Sequence, residues 1–203
     1  RNNKMAFPSI IQNLIVQLSK LPEIGPKAAT RLVFYLTNQE QKELDELSAL
    51  IKGLKTNIRL CSQCFNLAEA DNSLCSICQD KKREKHIVCV VEDILDIIPI
   101  EKTKQYQGLY HILGGLISPS DGLGPDQLKI NELIERIKSA RDIKEVILAL
   151  NPTTEGDTTA LYLERILKPL NIKITRLGRG LSTGADLEYA DANTLTSALL
   201  GRK

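Results

Sequence analysis

The feature that most narrows what this chain can fold into is the stretch CSQCFNLAEADNSLCSIC. It sets Cys61, Cys64, Cys75 and Cys78 as two CxxC pairs separated by ten residues. A CxxC turn aims two thiolates at one centre, and two such turns complete the closed tetrahedral sulfur shell that zinc prefers. The competing arrangement is a pair of disulfides. The N-terminal RNNKMAFPS has neither the apolar core nor the small-residue cleavage site of a secretory leader. The thiols are therefore expected to meet a reducing cytosol, and zinc is the better reading. Four sulfur ligands leave no open coordination position, so one structural ion is expected, holding together a segment too short to build its own core. Cys89 lies inside the apolar run IVCVV and reads as a small buried hydrophobe.

Upstream of the cysteines the pattern is helical. Ile11, Leu14, Ile15 and Leu18 recur at helical spacing before the break LPEIGP, a second helix runs over about 26–36, and Leu44, Leu47, Ile51 and Leu54 form a third stripe. In LPEIGPKAATRL, Pro26 falls in a first helical turn, where its missing amide hydrogen costs nothing. The free amides and the helix dipole behind them make an anion site. Lys27 and Arg31, four apart, share the adjoining face, with Ala28, Ala29, Leu32 and Val33 available to pack inward. Phosphate is the natural ligand, and such contacts grip a nucleic-acid backbone without reading bases. Aromatics at 4% offer no base-stacking platform. An ordinary helical hairpin with two exposed cations remains the alternative. The stretch resembles a helix-hairpin-helix motif, a DNA binder indifferent to sequence whose turn reads Gly-hydrophobic-Gly. Here Glu23 replaces the first glycine while Ile24 and Gly25 are retained, which places a carboxylate near the phosphate path.

Charge is distributed unevenly behind a net value of +2. Residues 1–35 carry Arg1, Lys4, Lys20, Lys27 and Arg31 against Glu23, and Lys81-Lys82-Arg83-Glu84-Lys85 is a second basic cluster, either a phosphate-contacting surface or a solvated face. Met5, the single methionine, reads as a natural start. No apolar run approaches the ~18 residues of a membrane span.

From His86 onward apolar runs at 87–91, 109–113, 146–150 and 172–177 alternate with helical stripes, including Leu128, Leu133, Ile134 and Ile137, then Leu161, Ile166, Leu167 and Leu170. Continuous apolar strands alternating with helices indicate a mostly parallel sheet covered on both faces, with any site beyond the carboxyl ends of the strands. The run ALNPTTEGD lies at such an end and carries Glu155 and Asp157. Asp157, just before an apolar stripe, is expected to cap the following helix or to meet a basic partner.

The order of these parts, with ILGGLISPSDGLGPDQLKI, LNPTTEGDTTALYL and RLGRGLSTGADLEYAD in the α/β portion, resembles the RecR family of bacterial recombination mediators along essentially the whole chain. That resemblance implies an α+β multidomain protein. Its parts are a helix-hairpin-helix region (1–57), a four-cysteine zinc finger (58–83), an α/β Toprim domain with a mostly parallel sheet (84–180) and a C-terminal segment aiding oligomerisation (181–203). It further implies a cytosolic, non-enzymatic protein that forms a homo-dimer or ring-like tetramer and contacts DNA through Gly25, Lys27 and Arg31. It would act with RecO and RecF to load RecA on single strands coated by single-strand-binding protein, and Glu92, Glu155 and Asp157 would form a docking face for RecO.

Catalytic Toprim enzymes hold Mg²⁺ with a glutamate after the first strand and an Asp-x-Asp pair after a later one. Glu92 matches the glutamate, but Asn151 and Thr153 stand where the aspartates would be. One carboxylate with two neutral side chains is a poor magnesium cage. A Mg²⁺-dependent nuclease or topoisomerase is therefore the alternative, supported by Glu92, Glu155 and Asp157. It lacks a nucleophile context, because Tyr106, Tyr110, Tyr162 and Tyr189 read as packing residues. A nucleotide-binding switch built on Gly178, Gly180 and Gly184 fails the P-loop pattern, since Ala185 stands in the lysine's place. His86 and His111 lack ligand-spaced neighbours and read as structural.

Overall fold

A computed structural model describes residues 7–140 and 142–202, so Arg1, Lys4 and Met5 lie outside the described residues. The chain divides into two compact units, Arg1–Asn57 and Ile58–Lys203.

The first unit is helical. Helices α1 (Ser9–Leu18), α2 (Pro26–Thr37) and α3 (Gln41–Gly53) follow the three apolar stripes. Ile15, Ala29 and Val33 make its small buried core, with Ile11, Leu14, Leu18 and Ile24 packed around them. Of the four residues expected to face inward on α2, only Ala29 and Val33 do, while Ala28 and Leu32 are exposed. Two residues four apart define one side of a helix, and their immediate neighbours stand about 100° away from it.

The second unit opens with the hairpin β1 (Ile58–Leu60) and β2 (Leu67–Glu69) and the single turn α4 (Ser76–Gln79), which frame the cysteines. Strand β3 (Glu84–Val91), helix α5 (Ile97–Lys102), β4 (Gly108–Ile112), α6 (Ile130–Ser139), β5 (Glu145–Ala149), α7 (Thr154–Leu167) and β6 (Lys173–Arg176) then alternate, and α8 (Ala192–Leu200) ends the chain. The sheet has the order β4-β3-β5-β6 with all neighbours parallel.

Strand alternation sends Val88 and Val90 into a core with Leu133 and Ile137 of α6 and Leu163 and Leu167 of α7. Cys89 and Val91 point to the opposite face, against Ile97 of α5 and the finger residues Phe65 and Ile77. The Cys89 thiol is buried and pushed up to about 12 by desolvation, in keeping with an inert packing role. His111 is also structural. It is buried with Nε2 2.7 Å from the Lys129 carbonyl, and burial pulls its pKa down to about 4, so the ring is neutral. Tyr106 and Tyr110 pack edge to face at 5.0 Å, but Tyr189 stands 82% exposed, contrary to the packing role expected of it. Arg83 leaves the expected basic surface, because Glu101 binds its guanidinium in a half-buried ion pair, while Lys81, Lys82 and Lys85 stay exposed. Among the described residues no helix is long and apolar enough to cross a membrane.

Two leucines on α7 separate core from surface. Leu163→Ala, at a fully buried position, is expected to cost about 2–5 kcal/mol in urea unfolding, and Leu161→Ala, 61% exposed, no more than about 0.5 kcal/mol.

Candidate functional site

The cysteine site is built by two local turns. In the first knuckle the Cys61 amide donates to the Asn66 carbonyl at 2.7 Å and the Phe65 amide to the Cys61 carbonyl at 3.1 Å, with Phe65 in a left-handed conformation (φ 65°). In the second, the Gln79 amide donates to the Cys75 carbonyl at 3.0 Å as α4 begins. All four sulfurs lie within 4.8 Å of one another, Cys64 Sγ to Cys75 Sγ is 3.5 Å, and no disulfide joins them. Thiol hydrogen bonds from Cys64 and Cys78 favour a thiolate at Cys75, and that charge in turn holds the Cys64 and Cys78 thiols protonated. A divalent cation removes this conflict, because it binds every sulfur as thiolate. The residues fit one structural zinc, and among the described residues this is the one cluster of His, Cys, Asp and Glu side chains placed to hold a metal.

The acidic corner of the sheet is arranged differently. Glu92 follows β3, Asn151 and Thr153 follow β5, and Asp157 lies in the first turn of α7. Asn151 Nδ2 donates to Glu92 Oε2 at 2.9 Å, so a neutral amide occupies one oxygen of the carboxylate that matches the glutamate of a catalytic Toprim site. The Thr153 hydroxyl accepts the Gly156 amide at 3.1 Å and is the N-cap of α7. The capping role expected of Asp157 therefore belongs to Thr153, whose side chain stands at the correct spacing from N3. Asp157 instead meets Arg176 Nη1 at 3.1 Å and Arg179 Nη1 at 3.1 Å. Arg179 first, then Arg176, holds this carboxyl below its ordinary pKa. Glu155 is half-buried and has no ion pair among the described residues.

Three residues of this corner escaped the sequence reading. Arg176 sits at the end of β6 and also binds Glu164 through Nε at 2.7 Å, and Arg179 follows three residues later. Their signal was a pair of arginines at the end of the strand that follows an acid-opened helix. The third is Gly156, buried in the first turn of α7, where a Cβ would lie 2.0 Å from the Asn151 carbonyl oxygen. Only glycine lets the helix start this close beneath the loop that aims Asn151 at Glu92. Residues 178–186 form no P-loop. Only the three-residue 3-10 turn Leu187–Tyr189 follows them, and Gly180 (φ 153°) sits against Ala198 of α8, where a Cβ would have 3.3 Å.

In the helical unit, Gly25 is the N-cap of α2 with Pro26 at its start, and a Cβ on Gly25 would meet nothing within 4 Å, so the amide end of the helix is open. Lys27 and Arg31 are exposed and have no ion pair among the described residues. Glu23 holds φ 64°. It thus adopts the left-handed turn that the missing glycine would supply, and the hairpin geometry survives the replacement at some conformational cost.

These features define a Toprim-fold protein that sets Asn151 and Thr153 near Glu92 at the sheet's carboxyl end and carries a four-cysteine zinc finger and a helix-hairpin-helix unit. Comparison with known proteins is more specific. The helix-hairpin-helix model of RecR matches residues 11–54, the RecR four-cysteine zinc finger model 58–80, the Toprim model 86–178 and the RecR C-terminal model 180–203. Recombination protein RecR of Chloroherpeton thalassium is 48% identical over 195 residues, 95% of each chain. Those of Staphylococcus saprophyticus and Staphylococcus aureus are 46% identical over 198 residues, 98% of each chain. The chain belongs to the RecR family and is a recombination-repair protein of the DNA-binding kind that its hairpin implies.

The neutralised corner can be tested by returning its charges. Two aspartates at 151 and 153 would face Glu92 as like charges and destabilise the corner until a cation bound. Magnesium is expected to leave the melting temperature of the wild-type chain unchanged. It should raise that of Asn151→Asp, Thr153→Asp by roughly 2–4 °C, the shift for about 1 kcal/mol in a chain of this length. Thermal melts with and without magnesium decide this.

Proposed function

We propose that this protein is a non-catalytic mediator of recombinational repair that grips DNA through phosphate contacts made by Lys27, Arg31 and the open backbone at Gly25. The observation that carries the reading is the Asn151–Glu92 hydrogen bond. It satisfies the carboxylate that a magnesium-dependent nuclease or topoisomerase would need free. Cys61, Cys64, Cys75 and Cys78 hold the zinc, which has no open position for substrate. Glu92, Glu155 and Asp157 form the partner face, where Glu155 is the carboxylate with neither hydrogen bond nor ion pair among the described residues.

Membership of the family supports the following working context. The protein operates in the reducing bacterial cytosol with RecO and RecF, and assists loading of RecA at gaps covered by single-strand-binding protein. The homo-dimer or tetramer uses the C-terminal segment, where Leu187, Tyr189, Leu199 and Leu200 are exposed apolar side chains. The division into 1–57, 58–83, 84–180 and 181–203 assigns DNA, zinc, partner and self-association to successive parts of the chain.

The test is a gel assay of the zinc-loaded protein on gapped plasmid with magnesium, scoring mobility shift and strand cleavage or relaxation together. A shift on unrelated sequences without cleavage is the expected result, and cleavage abolished by Glu92→Ala would replace this reading with the enzymatic one. Lys27→Ala, Arg31→Ala should weaken binding about equally on all sequences and reduce the slope of log affinity against log salt by about 2. Glu23→Gly should tighten binding about fivefold, by removing ~1 kcal/mol of repulsion from the phosphate path.

A further inference from the structure

Arg136 lies on α6 with 9% of its surface exposed, and no carboxylate pairs with it among the described residues. Its Nη1 donates to the Tyr110 carbonyl at 2.6 Å and to the Gln63 carbonyl at 3.3 Å, while Nε and Nη2 are buried without a partner. A guanidinium does not shed its proton, so this is a buried cation in want of a counter-charge.

The acids nearby do not supply it. Glu132 and Glu135 line the same groove as Arg136, but Glu132 takes Lys129 at 2.9 Å and neither bonds the guanidinium. On the strand side, His111 is held neutral and Tyr110 presents its carbonyl. On the finger side stands Gln63, between Cys61 and Cys64 in the first knuckle. Burial pulls the Arg136 pKa down, and the finger cysteines would hold it up once a metal had fixed them as thiolates. Four thiolates around Zn²⁺ leave two net negative charges (+2 − 4), spread over large sulfur atoms.

We propose that Arg136 is the counter-charge of the zinc–tetrathiolate centre, a positioning residue that the Toprim domain supplies to the finger and that tightens its hold on the metal. The cation stabilises the thiolate state that the metal requires, and its bond to Gln63 keeps the first knuckle against β4. Its two unpartnered nitrogens fit this role, because a diffuse sulfur charge attracts the guanidinium without needing a single aligned acceptor.

The test uses the full chain loaded with zinc, in Arg136→Met and Arg136→Lys forms. Zinc affinity is measured by competition with a chromogenic chelator at one pH, and the sulfur-to-metal absorption bands of the cobalt-substituted protein report four-sulfur coordination. Met removes the charge but keeps an apolar chain of similar reach. It should weaken zinc binding by about 10–100-fold, the usual effect of losing an outer partner of a metal ligand set. Lys keeps the charge as a point charge without the planar guanidinium, and should stay within about threefold of wild type, roughly half a decade in affinity. Wild-type affinity in the Met form overturns the proposal. Equal loss in both forms also overturns it, leaving Arg136 a mechanical clamp. If the Met form does not fold, the Lys form decides. Affinity within threefold and unchanged cobalt bands support the counter-charge, and a loss of tenfold or more sinks it.

Discussion

The free edge of β4 is the point on which the second unit of this molecule depends. A strand at the end of a parallel sheet leaves a row of donors and acceptors without partners, and an edge left bare invites pairing with another chain. Here the first zinc knuckle closes it. The Ile112 amide donates to the Cys64 carbonyl at 3.0 Å and the Tyr110 carbonyl accepts from Arg136, so two of the edge's backbone groups are satisfied at one place. The finger, with little more than its cysteines, Ala68, Leu74 and Ile77 for a core, depends on its metal to hold that shape. Metal binding is then folding free energy for the finger and edge protection for the sheet.

The carboxyl ends of the same strands carry a corner whose polar groups are bonded mostly to one another. Two aspartates at 151 and 153 would need a cation to sit beside Glu92, whereas asparagine brings its own donor and needs none. Thr153 gives up metal ligation for the cap of α7, and Gly156 lets the helix begin close enough for the loop to hold Asn151 in place. Asp157 is drawn off in the other direction by Arg176 and Arg179, which tie the start of α7 to the segment leading to α8. Glu92, Thr153 and Asp157 are each bonded within the protein, and Glu155 is the exception among the described residues.

Legibility in the sequence tracked the range of each interaction. The cysteine knuckles lie within four residues of chain, and the parallel strands announce themselves as unbroken apolar runs, so metal site and fold class were both readable. Asp157 and Thr153 both precede the apolar stripe of α7, and local spacing alone does not say which reaches the N3 amide. The arginines that claim Asp157 come from 19 and 22 residues away and are placed by the register of β6. Arg136 was hidden for another reason. In INELIERIKS it reads as one more charge on the polar side of an amphipathic helix, and only the zinc finger folded over β4 makes that side an interior.

The distribution of satisfied and unsatisfied charge then separates the surfaces by what they can attract. Exposed cations with no internal anion, such as Lys27 and Arg31, keep their full field for an incoming polyanion, and a nearby helix start adds to it. Carboxylates already bonded to an amide or a guanidinium offer a divalent cation little, since the ion would first have to displace those partners and then give up its own water. A chain of net charge +2 can thus carry unpaired cations on its helical hairpin and an acid-bearing corner at the end of its Toprim sheet. Within that corner Glu155 is the acid whose carboxylate has neither ion pair nor hydrogen bond among the described residues, so its charge is the least offset of the three.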